Sequence, residues 1–273
     1  MRIAGAVIAV LLVLSVPPST GSVFAAELSR QESVGLLNDG LRAFDRGTAL
    51  AKQSPGEAAA AFAEAAAKFQ QIVDAGVENG RLYYNLGNAH LKSGRIGPAI
   101  ANYLRAAAFM PQDTRLQENL AYARLLCQCD IRESGERAAT RTVFFWHYGT
   151  PLSLRFRLGL ATYVLFWLLL IGRTLIGRIR WGYPAAVCLV LWLALGVSVG
   201  VELRHSATHQ DGVITTPDVV VRKGNGLDYA PQLKETLAEG VEFEVVEERG
   251  AWLHIQLADG KDGWVQRKEA EII

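Results

Sequence analysis

The sequence has almost no excess of either charge: 28 lysines and arginines against 27 aspartates and glutamates leave +1 at pH 7 over 273 residues. A phosphate backbone is gripped by concentrated Lys and Arg, so this balance argues against a nucleic-acid partner. Cysteine is scarce too, at 3, and no second pair accompanies Cys127 and Cys129 to complete a Cys-type metal site. No cysteine follows the N-terminal apolar run, which argues against a lipoprotein. Also missing are G-x-S-x-G, H-E-x-x-H, a phosphate loop and a Ser/His/Asp set. The chain therefore reads as a non-enzyme, with no catalytic residue, metal or cofactor assigned.

What the sequence does have is apolar length. At 50% hydrophobic it is too apolar for one soluble domain and not apolar enough for a polytopic transporter. Arg2, the run Ile3 to Val16, Pro17-Pro18 and Val23-Phe24-Ala25 mark residues 1–26 as a secretion signal. If retained as an anchor instead, it leaves the same residues outside the cytoplasm. Two stretches lack the polar face that a soluble helix needs. Residues 158–177 reach spanning length if Arg173 snorkels, and 183–201 are long enough alone. The loop between them, 178–182, carries Arg178 and Arg180, with Arg173 on its flank, and the positive-inside rule places it in the cytoplasm. Arg155 and Arg157 on the other flank weaken that signal, but the export signal points the same way. Both soluble parts are expected on the periplasmic or outer face of a bacterial cytoplasmic membrane.

A 34-residue shift aligns RLYYNLGNA, 81 to 89, with RLQENLAYA, 115 to 123. That is the period of tetratricopeptide repeats, and the clearest copy resembles their consensus at Tyr83, Leu86, Gly87, Ala99, Tyr103, Ala106 and Pro111, with His90 where Tyr is usual. Helical spacing supports it: Leu82, Leu86 and Ala89 share one face, and Ile100, Tyr103, Leu104 and Ala107 another. Gly94 is placed to stop the first helix and Pro98 to sit in the first turn of the second. Upstream, QESVGLLNDGLRAFDRG and GEAAAAFAEAAAKFQQIVDAG form a degenerate pair separated by an insertion, TALAKQSPGE. Downstream, DTRLQENLAYARLLCQC closes the stack as a lone helix. Residues 27–130 are thus predicted as an α-helical solenoid of about two and a half repeats, followed by a linker over 131–157.

Within it Asn85 and Asn119 stand one repeat apart, each one turn after an arginine, Arg81 and Arg115. Asn is a poor helix-interior residue and needs a tertiary reason to be there. In tetratricopeptide proteins these positions face the concave groove, so the resemblance implies a protein-binding line of Arg81, Tyr84, Asn85, Asn88, Arg115 and Asn119 that holds a partner's backbone or terminal carboxylate. The competing reading is that the asparagines bond neighbouring helices. Cys127 and Cys129 are expected as buried or idle thiols, with a redox pair as the alternative, and Cys188 as packing.

After a polar segment, 202–211, the character changes. Short alternating runs broken by Gly, Asn and Asp predict a small all-β barrel over 212–273, and the glycine-ended linker predicts that it folds by itself. The order VVVR, EGVEFEVVEE, AWLHIQL, DGWV resembles bacterial SH3-like domains, with Trp252, Gly263, Trp264 and Val265 as its most specific part. Trp252 and Trp264 belong to its core or its groove, core being the better reading for Trp264.

Signal, repeats, two close spans with an arginine loop, and the barrel, in that order, resemble the BatE-type proteins of the Bacteroides aerotolerance operon. The resemblance implies a scaffold whose partners are membrane proteins with von Willebrand factor A domains, working beside a MoxR-type ATPase in stress tolerance. The alternative is a cell-wall adaptor that recruits a peptidoglycan enzyme through its barrel.

Overall fold

The computed structural model describes residues 29–127, 144, 150–176, 182–208 and 210–273. The secretion signal, most of the 131–157 linker, loop residues 178–181, Cys129 and His209 lie outside the described residues.

Helix α1 (Arg30–Leu50) opens on a reciprocal cap: the Ser29 hydroxyl accepts the Glu32 amide at 3.2 Å, and the Glu32 carboxylate accepts the Ser29 amide at 2.9 Å. Its buried positions are Gly40, Ala43 and Gly47, a furrow filled by two rings of α2 (Pro55–Asp74). A Cβ on Gly40 would come within 2.5 Å of Phe69, and one on Gly47 within 2.8 Å of Phe62, so the helices cross closely because these residues have no side chain. The insertion TALAKQSPGE lengthens both helices. Helix α1 runs on to Leu50 and α2 starts at Pro55, proline being suited to a first helical position.

Helices α3 (Gly80–Lys92) and α4 (Ile96–Phe109) form a second antiparallel pair. Asn79 caps α3 by accepting the amides of Arg81 and Leu82 at 2.9 and 3.3 Å. Gly94, at φ +84°, ends it, and the Arg95 amide reaches back to the His90 carbonyl at 2.9 Å. Gly87 lets the pair approach: a Cβ there would meet the Tyr103 ring at 2.7 Å. Helix α5 (Thr114–Leu126), capped by Asp113, follows. Each helix packs on the next, burying Phe69, Leu86, Ile100, Tyr103 and Leu116 completely.

Helices α6 (Leu152–Ile176) and α7 (Gly182–Thr208) pair as an antiparallel hairpin and are both long and apolar enough to cross a membrane. Only 6% and 11% of their apolar windows are buried by protein, whereas a soluble core helix would be covered. Helix α6 begins six residues before the expected span and so contains Arg155 and Arg157. Arg155 is 3% exposed and donates to the Ser198 hydroxyl at 2.8 Å and to Glu202 at 3.3 Å. A charge this buried is tolerated only with such partners. Cys188 is buried and free in α7.

The polar segment 202–211 is not a loop. Helix α7 continues to Thr208 and β1 starts at Gln210; the Arg155–Glu202 contact ties the helix to its neighbour at the point where a linker was expected to begin. Strands β1 (Gln210–Ile214), β2 (Glu242–Arg249), β3 (Trp252–Leu257), β4 (Asp262–Gln266) and β5 (Ala270–Ile272) form one antiparallel sheet in the order β4-β3-β2-β1-β5. Its inward residues, among them Val213, Leu253, Ile255, Leu257 and Val265, are buried, as are Val219 and Val221 in the segment between β1 and β2. The same apolar cluster continues into Ile100, Ala101, Leu116 and Cys127 of the helical region, so the barrel is docked on the helices.

Candidate functional site

Helix α4 is buried on every side from Gly97 to Tyr103, and the barrel covers the side that α3 and α5 leave open. At its first turn a Cβ on Gly97 would overlap the carbonyl of Ile214 and lie 2.9 Å from the Thr215 Cα. The Gly97 amide donates to Glu239 at 3.1 Å, and Arg95 stands 3.7 Å from that carboxylate. Arg105 pairs with Glu271 and donates to the Ile272 carbonyl at 2.8 Å. Arg124 holds Glu242 through two bonds of 2.6 and 2.8 Å, the fork geometry that favours arginine over lysine. In these pairs the helical side supplies the arginines and the barrel the glutamates. One feature of the chain hints at this contact: IGPAIANYLRAAAF is apolar around most of its circumference, and such a helix must be covered all round.

Of the six groove residues, three are joined to each other. Asn88 Oδ1 accepts from the Tyr103 hydroxyl at 2.7 Å and from Asn119 Nδ2 at 2.8 Å, and Asn119 Nδ2 also lies 3.1 Å from the Tyr84 hydroxyl. The network ties α3, α4 and α5 together, so Asn119 does what the competing reading assigned to it. Burial, then the neighbouring Tyr84, pushes the Tyr103 hydroxyl's pKa up, so it stays a donor. Asn85 is half-buried. Arg81 and Arg115 are exposed, each the second residue of its helix, and neither forms an ion pair among the described residues.

His90, half-buried near the end of α3, is lowered to about 4 by burial and then by Arg95. A folded-state value below the ordinary 6.5 means that the unfolded chain binds the proton first. Stability is therefore full above about pH 6.5 and falls as pH drops toward 4. Melting temperature of the full chain in detergent should fall between pH 7 and pH 4.5, and less so in His90→Gln; equal falls would contradict this.

On the barrel, Trp264 is 8% exposed but does not join the core. Its neighbours Gly263 and Val265 point inward, against Val221 and Leu253, so Trp264 points out. There it stacks on His254, with centroids 4.9 Å apart and 13° between planes, and the Arg249 guanidinium lies 5.4 Å from its ring. His254 in turn contacts Asp262 at 2.8 Å. Trp252 lies half-buried on the same outer face of β3. Trp264 was expected in the core; its burial comes instead from a cation and an imidazole laid over the sheet.

Cys127 is disulfide-bonded, not the idle thiol expected. It is buried at the end of α5, its Sγ 3.1 Å from where a Cβ of Gly240 would be.

Residues 215–270 match the bacterial SH3 domain family, which agrees with the five-stranded sheet and its inward alternation. The C-terminal unit is a bacterial SH3 domain. Over 60 residues the chain is 35% identical to YrvJ of Bacillus subtilis (strain 168), a protein named as an N-acetylmuramoyl-L-alanine amidase. The match covers 22% of this chain and only 11% of that protein.

Proposed function

We propose that the protein is a non-enzymatic scaffold of the cell envelope, anchored in the cytoplasmic membrane by α6 and α7, that holds a tetratricopeptide-type helical stack and a bacterial SH3 domain on the outer side as one body. The observation that carries this is the shared apolar core and arginine–glutamate contact between α4–α5 and the barrel. Two modules fixed against each other present their surfaces in a set relation, which is what a scaffold needs. The repeat reading is supported by the Gly87–Tyr103 crossing and the 34-residue recurrence. On the resemblance to BatE-type proteins, the partners are membrane proteins with von Willebrand factor A domains, beside a MoxR-type ATPase. Alkaline phosphatase fused after Ile273 should be active and fused at Arg178 inactive; an active Arg178 fusion would refute the two-span arrangement.

A second reading, a cell-wall adaptor, is favoured by the identity to a protein named for cleavage next to N-acetylmuramic acid. On this reading the Trp264–His254 face meets peptidoglycan. Purified sacculi should then sediment the full chain, and Trp264→Ala should lower the sedimented fraction severalfold. Equal sedimentation of both would remove that face from consideration.

A further inference from the structure

Cys127 caps the end of α5 and is buried, 6% exposed, in the apolar cluster that the helices and the barrel share. It is disulfide-bonded. The chain has 3 cysteines and Cys188 is free, so a bond within the chain leads to Cys129. A disulfide constrains the unfolded chain more the longer the loop it closes, and a C-x-C loop is too short to act as a staple. Stability does not account for this bond, but its place in the fold does. Gly240 turns the barrel's chain at φ +98°, and a Cβ there would meet Cys127 Sγ and Ile100 Cδ1 at 3.1 Å and Ile96 Cγ2 at 3.2 Å. One turn before Cys127, Arg124 holds Glu242. The sulfur is therefore shut in at the seam between α4, α5 and the barrel.

Thiol exchange needs a thiolate to reach one sulfur and the other sulfur to leave as a thiolate. Attack at Cys127 is blocked by the seam. Attack at Cys129 expels a Cys127 thiolate among isoleucine side chains, a charge held away from water. Both routes need the barrel lifted from α5. We infer that Cys127 and Cys129 form a redox-active disulfide, shielded by the docked barrel, whose co-substrate is a dithiol. With the barrel lifted, one thiolate of the dithiol attacks Cys129 Sγ and forms a mixed disulfide. The Cys127–Cys129 bond breaks, and its electron pair goes to Cys127 Sγ, which takes a proton. The dithiol's second thiolate then closes on its own sulfur in the mixed disulfide and releases Cys129, which is protonated in turn. The dithiol ends as a cyclic disulfide, and two electrons and two protons have passed to the protein. The inference rests on the proposed reading of helices and barrel as one body.

The test uses the full chain in detergent. Denatured and alkylated without reductant, then digested with trypsin, it should yield residues 125–132, LLCQCDIR, unlabelled and two hydrogens lighter than the dithiol form, while Cys188 takes the label. A labelled 125–132 peptide, or one cross-linked between two chains, overturns the pairing. Followed on the same peptide, reduction by dithiothreitol should be at least about tenfold faster in Gly97→Leu than in the wild type, because attack on a shielded bond tracks the open population. Arg105→Glu, which breaks the pair with Glu271, should also speed reduction, and adding Glu271→Arg should restore the slow rate. Equal rates in the wild type and in a Gly97→Leu chain that melts in two transitions overturn the shielding. A single unshifted transition in Gly97→Leu overturns the one-body reading, and the shielding with it.

Discussion

Replacing Gly97 by leucine is expected to separate the bacterial SH3 domain from the helical region and split one melting transition into two. No rotamer relieves the clash, because the first atom added already overlaps the Ile214 carbonyl and crowds the Thr215 Cα, and backbone cannot swing aside as a long side chain can. Overpacking a tight contact costs about 1–3 kcal/mol. Separation also forfeits the Glu239 bond and the arginine pairs at Glu271 and Glu242, each worth at most about 1 kcal/mol at such exposure. Both halves should stay folded, since each keeps fully buried residues of its own: Phe69 and Leu86 on one side, Leu253, Ile255 and Val265 on the other. Calorimetry of the full chain in detergent reads the result. A charge swap supplies the control: Arg105→Glu should weaken the coupling, and adding Glu271→Arg should restore it. A single, unshifted transition in Gly97→Leu would sink the one-body description.

On the proposed scaffold reading, the double variant Arg81→Ala, Arg115→Ala should lower capture of a membrane protein with a von Willebrand factor A domain at least tenfold, with almost no change in melting temperature. Both side chains are exposed. Each stands in the first turn of its helix, where a cation opposes the helix dipole and lowers stability by a few tenths of a kcal/mol or more. Stability does not explain them, whereas a partner carboxylate would: each charge-assisted bond contributes about 1.5–3 kcal/mol. Unaltered capture would refute the groove. A large fall in melting temperature would make the arginines structural, as Asn119 already is through its bonds to Asn88 and Tyr84.

Much of the fold is legible in the sequence wherever the rule is local. Gly94 ends α3 because only a residue that accepts φ near +84° turns the chain there, and Leu253, Ile255 and Leu257 face inward because strands alternate. That the insertion between α1 and α2 lengthens both helices was not legible, because Thr48 to Leu50 and Pro55 to Glu57 have no pattern of their own. They are helical because each continues a helix already nucleated, which needs only one more hydrogen bond per residue.

The sequence by itself determined which stretches are helices, which are strands and which are too apolar to leave in water, because those properties follow from neighbours two to four residues away. The tertiary structure decided how they meet. Arg105 finds Glu271 across 166 residues and Arg155 finds Glu202 across 47; an arginine has no sequence period that names its partner. It decided too that Trp264 lies under Arg249 and His254 on the outside of its sheet. It also decided that the barrel, for all the polarity of the segment before it, is docked on α4. That docking comes from a glycine that leaves space and three arginines that meet three glutamates, a complementarity that exists only once both surfaces have folded.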